Sequence, residues 1–133
     1  MKTERLPDAE LDIMKELWKS TVPLKASDIA KRLSEKHSWK VPTVHAFLSR
    51  LEEKGFVTVD RSSYFHRFLA AVSETDYIAS ESSALLQKSG TRLPTLVSAL
   101  MDSDDVTDEE LNELSALIDA KLKALREKRR ETK

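Results

Sequence analysis

The stretch VPTVHAFLSRLEEKGFV, residues 41–57, decides how the rest of the chain is read. Pro42 suits a first helical turn, where its missing N–H would be unpaired in any case, and Gly55 suits the close of the same helix near Lys54. Between them Val44, Phe47, Leu48 and Leu51 recur at i, i+3, i+4 and i+7, the spacing of a core-facing stripe. The other side, near the start, carries Thr43, His45, Ala46, Ser49 and Arg50, and no acid interrupts it before Glu52. After Gly55 the apolar period changes from 3.6 towards 2. Phe56–Val59 and Tyr64–Val72 are rich in β-branched and aromatic residues, and Asp60-Arg61-Ser62-Ser63 between them is turn chemistry, so a hairpin is expected.

Upstream, Leu11, Met14, Leu17 and Trp18 share one stripe of a helix that Asp8 is expected to cap and that runs to about Lys19. Val22-Pro23-Leu24 suits one short extended piece. A second helix follows over about 26–37, with Ile29, Ala30 and Leu33 inward and Lys31, Arg32, Glu35 and Lys36 outward. Three helices, an extended piece and a hairpin in this order predict a winged helix-turn-helix domain over residues 1–72.

Residues 73–133 read as helical throughout. Ser73 caps a helix that Gly90 interrupts near Ser89, and a shorter helix runs from Leu93 to about Met101. Thr107-Asp108-Glu109-Glu110 matches a capping box and starts a last helix that reaches about Lys128. Its stripe of Leu111, Leu114, Leu117, Ile118, Leu122 and Leu125 has no aromatic neighbour in sequence and needs a partner surface. Few large side chains are available for a stand-alone core here, so a second copy of the chain is the expected cover. Leu85, Leu96, Leu100, Leu111, Leu114, Ile118, Leu122 and Leu125 are the candidate dimerisation residues. The expected fold is mainly α with a small β-hairpin wing: an N-terminal winged helix-turn-helix domain and a C-terminal helical dimerisation domain.

Composition narrows the function. With 34% charged residues, two glycines and four prolines, the chain has a helical, globular composition. The opening MKTERLPDAELD turns acidic before any apolar run, and no stretch approaches a membrane span, so no membrane association and a cytoplasmic location are expected. The absence of cysteine excludes disulfides, thiolate metal sites and thiol catalysis. Charge is uneven: residues 1–72 are mildly basic, residues 102–119 hold eight acids and no base, and Lys121 onward is basic. A basic bias over a helical segment fits a polyanionic partner.

A recognition helix in a DNA major groove needs small or short polar residues near its N-terminal end and basic residues beside them for phosphates. Thr43, His45, Ala46 and Ser49 meet the first need, Lys40 and Arg50 the second. On an isolated helix the same residues would read as a solvated face; their place between a helix-turn-helix pattern and a hairpin favours DNA. His45 fits either a contact to DNA or an exposed ring. Arg61 at the hairpin tip and Arg67 on the return strand fit wing contacts to the minor groove or its phosphates, and equally fit a hairpin kept basic for solubility.

Enzyme chemistry finds no support. Two glycines leave no phosphate-cradling loop, nucleophile elbow or dinucleotide fingerprint. His37, His45 and His66 lie in different elements, so neither a metal site nor a cofactor is expected. Asp102, Asp104 and Asp108 alternate like a calcium loop, but Val106 takes a ligand position and Thr107 the place of the turn glycine. The basic tail over residues 121–133 fits a contact to DNA or a membrane surface, but a frayed, charged terminus is the usual explanation of such a run. A winged helix serving as a protein-interaction module without specific DNA binding is the rival from another functional class.

LPDAELDIMKELW, LKASDIAKRL, VPTVHAFLSRLEEKGFV, FLAAVSETDY and TDEELNELSALID together resemble the penicillinase-repressor family of the BlaI/MecI/CopY type. The resemblance implies a homodimeric repressor, with winged-helix domains on the two halves of a palindromic double-stranded DNA operator and a C-terminal domain that intertwines the subunits. By position it places Thr43, His45, Ala46, Ser49 and Arg50 on the recognition helix and Arg61 in the wing. His45 stands where relatives often carry arginine. Antibiotic-sensing relatives are inactivated by cleavage at an Asn-Phe bond, which brings in a regulatory protease as a partner; Ala99-Leu100 occupy the matching place here, a departure that tells against a β-lactam signal and leaves the inducer open. The copper-responsive branch carries a cysteine-rich tail, which this chain lacks. Two recognition helices on one face of B-DNA imply a separation near ~34 Å or a multiple of it.

Overall fold

The computed structural model describes residues 4–132; residues 1–3 and 133, the outer ends of the two domains expected from sequence, lie outside the described residues. The elements run α1 (Asp8–Lys19), β1 (Leu24–Lys25), α2 (Ala26–Arg32), α3 (Val41–Glu53), β2 (Val57–Asp60), β3 (Arg67–Ala70), α4 (Glu74–Ser89), α5 (Leu93–Met101) and α6 (Asp108–Glu131). The strands form one antiparallel sheet in the order β1-β3-β2. Leu24 faces Phe68 across the first pair, and Val57 faces Ala70 across the second. Mainly helical with a small sheet, this is the winged-helix architecture expected from sequence.

Contacts divide the chain into two compact units, one up to Lys88 and one from Ser89 onward. The first has a continuous apolar core, to which α1 gives Ile13, Met14 and Leu17, α2 gives Ile29, and α3 gives Val44, Leu48 and Leu51. Phe56, Val57 and Phe68 close it from the sheet side. Burying each of these large side chains contributes roughly 1.5–3 kcal/mol, which is why the i, i+4, i+7 stripe of α3 fixes which face remains outside. Tyr77 of α4 is also buried; its ring meets Phe56 edge-on, and its hydroxyl accepts the Leu6 N–H at 3.0 Å. Trp18 donates its indole N–H to the Val72 carbonyl at 2.9 Å. These contacts tie the start of α4 to the first unit, so contacts divide the chain one helix later than the composition change after Val72.

Three local differences from the sequence expectation have physical causes. Asp8 is the first helical residue of α1, with Pro7 at its N-cap. The α2 helix ends at Arg32 rather than near His37, and Leu33 takes over the chain reversal by accepting the N–H groups of Lys36 and His37. The return strand of the hairpin begins at Arg67, so Tyr64, Phe65 and His66 belong to a six-residue loop at the wing tip. Elsewhere the local chemistry is as expected: Gly55 and Gly90 adopt positive φ of 84° and 69° where α3 and α4 end, and Thr107 and Glu110 form the reciprocal capping box of α6.

Asp12, buried on α1, binds His37 Nε2 at 2.8 Å and Lys36 Nζ at 3.1 Å. The His37 hydrogen bond, with Lys36 adding to it, holds the Asp12 carboxyl below the usual carboxylate range against the opposing effect of burial. Folding therefore favours the ionised form. Its contribution is complete above the ordinary aspartate pKa and is lost as pH falls through the lowered, folded-state value. Asp12→Asn is expected to lower stability by about 1.5 kcal/mol near neutral pH, the scale of one charge-assisted hydrogen bond. Urea melts should find that penalty shrinking below about pH 4; a penalty that stays constant on acidification contradicts this role.

Candidate nucleic-acid interface

Because Val44, Leu48 and Leu51 are drawn into the core, α3 turns Thr43, His45, Ala46, Ser49 and Arg50 outward, and all five are exposed. Lys40, at the N-cap, is exposed beside them. Its side chain makes no capping bond; its carbonyl accepts the Thr43 N–H at 3.0 Å and the Val44 N–H at 3.2 Å. Lys40 and Arg50 make no ion pair among the described residues. The Arg50 guanidinium lies over the Phe47 ring, 5.8 Å from its centroid. His45 packs edge-on against Phe68 at 5.9 Å, so its ring bridges α3 and β3 while remaining exposed.

The first acid on this helix is neutralised by the wing. Arg61 Nη2 reaches both carboxylate oxygens of Glu52, at 2.8 and 3.0 Å. This contact anchors the hairpin to the C-terminal end of α3, a role that sequence spacing did not assign to Arg61. Arg67 is half-buried, and its Nη1 donates to Ser63 Oγ at 2.8 Å. Across β3 it is in register with Asp60 on one side and Lys25 on the other. The Asp60 carboxyl is held below its usual range chiefly by hydrogen bonds from the Ser62 side chain and backbone, with Arg67 nearby adding to them.

A second chain of contacts supports the helix from behind. His37 stacks flat on Trp39 at 3.8 Å with 3° between the planes, and Trp39 in turn packs against Phe47 at 5.0 Å. Through Asp12 this links α1 to the Phe47 ring beneath Arg50. Sequence spacing gave no sign of it, since Asp12 and His37 are 25 positions apart. The basic end of α3 is held similarly: Lys54 Nζ lies 2.7 Å from the buried Glu10 carboxylate. Lys54 is therefore committed to the fold and is not available to a ligand. Among the described residues no group of His, Cys, Asp or Glu is arranged to hold a metal ion, and no helix is long and apolar enough to cross a membrane.

In the second unit α5 and α6 contain no buried residue. Of the candidate dimerisation residues, Leu96, Leu111 and Leu114 are half-buried, while Leu100, Ile118, Leu122 and Leu125 are exposed. Leu100, Leu111 and Leu114 line an apolar hollow of ≈ 280 Å³ together with Val97, Met101, Val106 and Glu110. Leu117 is 68% exposed. Leu85, on α4, is exposed as well.

The chain is similar to several known proteins. The penicillinase repressor of Bacillus licheniformis is 29% identical over 120 residues, covering 89% of this chain and 92% of the relative. The methicillin resistance regulatory protein MecI of Staphylococcus aureus strain N315 is 23% identical over 123 residues, covering 90% of this chain and 98% of the relative. Among solved structures, the monomeric form of B. licheniformis BlaI in complex with the blaP half-operator is similar to 57% of this chain. It is 29% identical, with 92% of that chain covered and a TM-score of 0.48. The sequence profile described as penicillinase repressor matches residues 6–120. The chain belongs to the penicillinase repressor family, a family of DNA-binding winged-helix transcriptional repressors.

Proposed function

We propose that this protein is a homodimeric repressor that occludes a promoter by binding a palindromic operator, with α3 of each copy in a major groove. The observation that carries the proposal is the outward face of α3: five exposed small, polar or basic residues, with its first acid already paired to Arg61. Thr43, His45, Ala46 and Ser49 supply contacts to base edges, while Lys40 and Arg50 contact phosphates. Arg67 adds positive potential at the base of the wing, and Arg61 holds the wing to α3. The family relationship supports a repressor acting in the cytoplasm.

The exposed α6 stripe supports a second copy as partner. Acids cluster at the N-terminal half of α6, Asp108 to Asp119, and bases follow from Lys121 to Arg130. An antiparallel second α6 would set each half against its opposite charge. A regulatory protease is carried as a partner from the resemblance alone, since Ala99-Leu100 on α5 replace the Asn-Phe pair that is cleaved in antibiotic-sensing relatives.

Arg50→Ala is expected to weaken binding to operator DNA by about 10-fold and to reduce the steepness of its salt dependence by about one ion. Sedimentation should still find the wild-type association state. Affinity and salt slope equal to those of the wild type remove Arg50 from the interface.

A further inference from the structure

The wing tip carries a pair of aromatic side chains that the fold does not use. Tyr64 is 91% exposed and Phe65 60% exposed, their rings edge-to-face at 4.9 Å. The loop beneath them is built: Ser62 N–H donates to Asp60 Oδ1 at 2.9 Å, Ser63 Oγ to the Phe65 carbonyl at 2.9 Å, and Arg67 to Ser63. These bonds brace the loop on both sides of Tyr64. An exposed aromatic pair held in place contributes little to folding and marks a contact surface.

Charge around the pair selects the partner. Lys25 Nζ lies over the Phe65 ring at 5.4 Å, and Lys25 faces Arg67 across the β1–β3 ladder. Asp60 offsets Arg67 from the β2 side, which leaves Lys25 as the cation beside the pair that a polyanion would meet. The same loop begins at Arg61, whose contact with Glu52 ties it to the C-terminal end of α3, and Phe68 of β3 meets His45 edge-on, so the hairpin lies beside the proposed α3 footprint.

We propose that Tyr64, backed by Phe65, is a non-ionic DNA contact that packs into the minor groove beside the α3 footprint. Apolar side chains in that groove wedge between base steps, and an exposed aromatic ring has the flat apolar body such a wedge needs. The inference rests on the DNA-binding reading of α3, and the test separates the two.

The probe is a fluorescent duplex selected by the wild-type protein from a random-sequence pool, titrated across a salt series with wild type, Tyr64→Ala/Phe65→Ala and Tyr64→Phe. The double variant is expected to bind about 10-fold more weakly with an unchanged slope of log affinity against log salt, because no phosphate contact is lost. Tyr64→Phe should retain wild-type affinity. Both side chains are exposed, so thermal melting of the variants should match the wild type. Undiminished affinity in the double variant overturns the proposal. So does a loss accompanied by a slope lower by about one ion, which would assign the effect to the neighbouring cations. Equal losses in Tyr64→Phe and the double variant would assign the contact to the hydroxyl and overturn the packing role. If no duplex is enriched and wild type binds DNA weakly and without preference, the α3 reading fails, and the wing proposal with it.

Discussion

Replacing Ile118 and Leu122 together by aspartate is expected to convert the proposed dimer into a monomer and to lower affinity for a two-half-site operator by roughly 100-fold. The two side chains lie one helical turn apart on α6 and are 49% and 41% exposed. The fold of a single copy therefore does not depend on them, unlike the half-buried Leu114, whose replacement would confound loss of partner with loss of structure. In a dimer each aspartate would be buried without a counter-charge, a cost of several kcal/mol. Once the copies separate, the second half-site is no longer bound at the high effective concentration that tethering provides. Affinity for a single half-site should stay within about two-fold of wild type, since α3 lies in the other unit. Sedimentation that still finds a dimer would move the interface away from this stripe.

Ala46→Glu is the second large effect, expected to weaken operator binding by roughly 100-fold through two causes acting together: bulk at the α3 surface and a negative charge brought against phosphates. Ala46 is exposed in mid-helix, and glutamate is a good helix former, so stability should change by less than about 0.5 kcal/mol. Ala46→Gln separates the causes, having nearly the same shape without the charge. Its loss should be smaller and less sensitive to salt. Binding by Ala46→Glu at wild-type strength would mean that this face of α3 does not meet DNA.

Much of this molecule is legible from sequence because its signals are local. The α3 boundaries follow from Pro42 and Gly55, its buried face from Val44, Leu48 and Leu51, and the α6 start from the Thr107–Glu110 box. What local pattern does not carry is any contact made by side chains distant in sequence. Arg61 reads as a free wing cation until Glu52 is seen beside it, nine residues back and on another element. His37 reads as an isolated histidine, yet Asp12 and Trp39 fix it from two sides. Tyr64 and Phe65 have strand propensity, yet they lie in a loop tip braced by hydrogen bonds of Asp60, Ser63 and Arg67. The division at Lys88/Ser89 is hidden for the same reason: Tyr77 sits in a helix that reads as the start of a new domain, while its ring completes the first core.

The measurement that tests the central claim most directly is fluorescence anisotropy of the wild-type protein with DNA from upstream of its own gene and with a scrambled duplex of equal length, from about 50 to about 200 mM salt. The expected result is specific DNA bound at least about 1,000-fold more tightly than the control, with affinity falling steeply as salt rises. Weak binding of equal strength to both duplexes, together with the same result for duplexes tiled across the neighbouring genes, would contradict a repressor built around α3 and leave the winged helix as a surface for a protein partner.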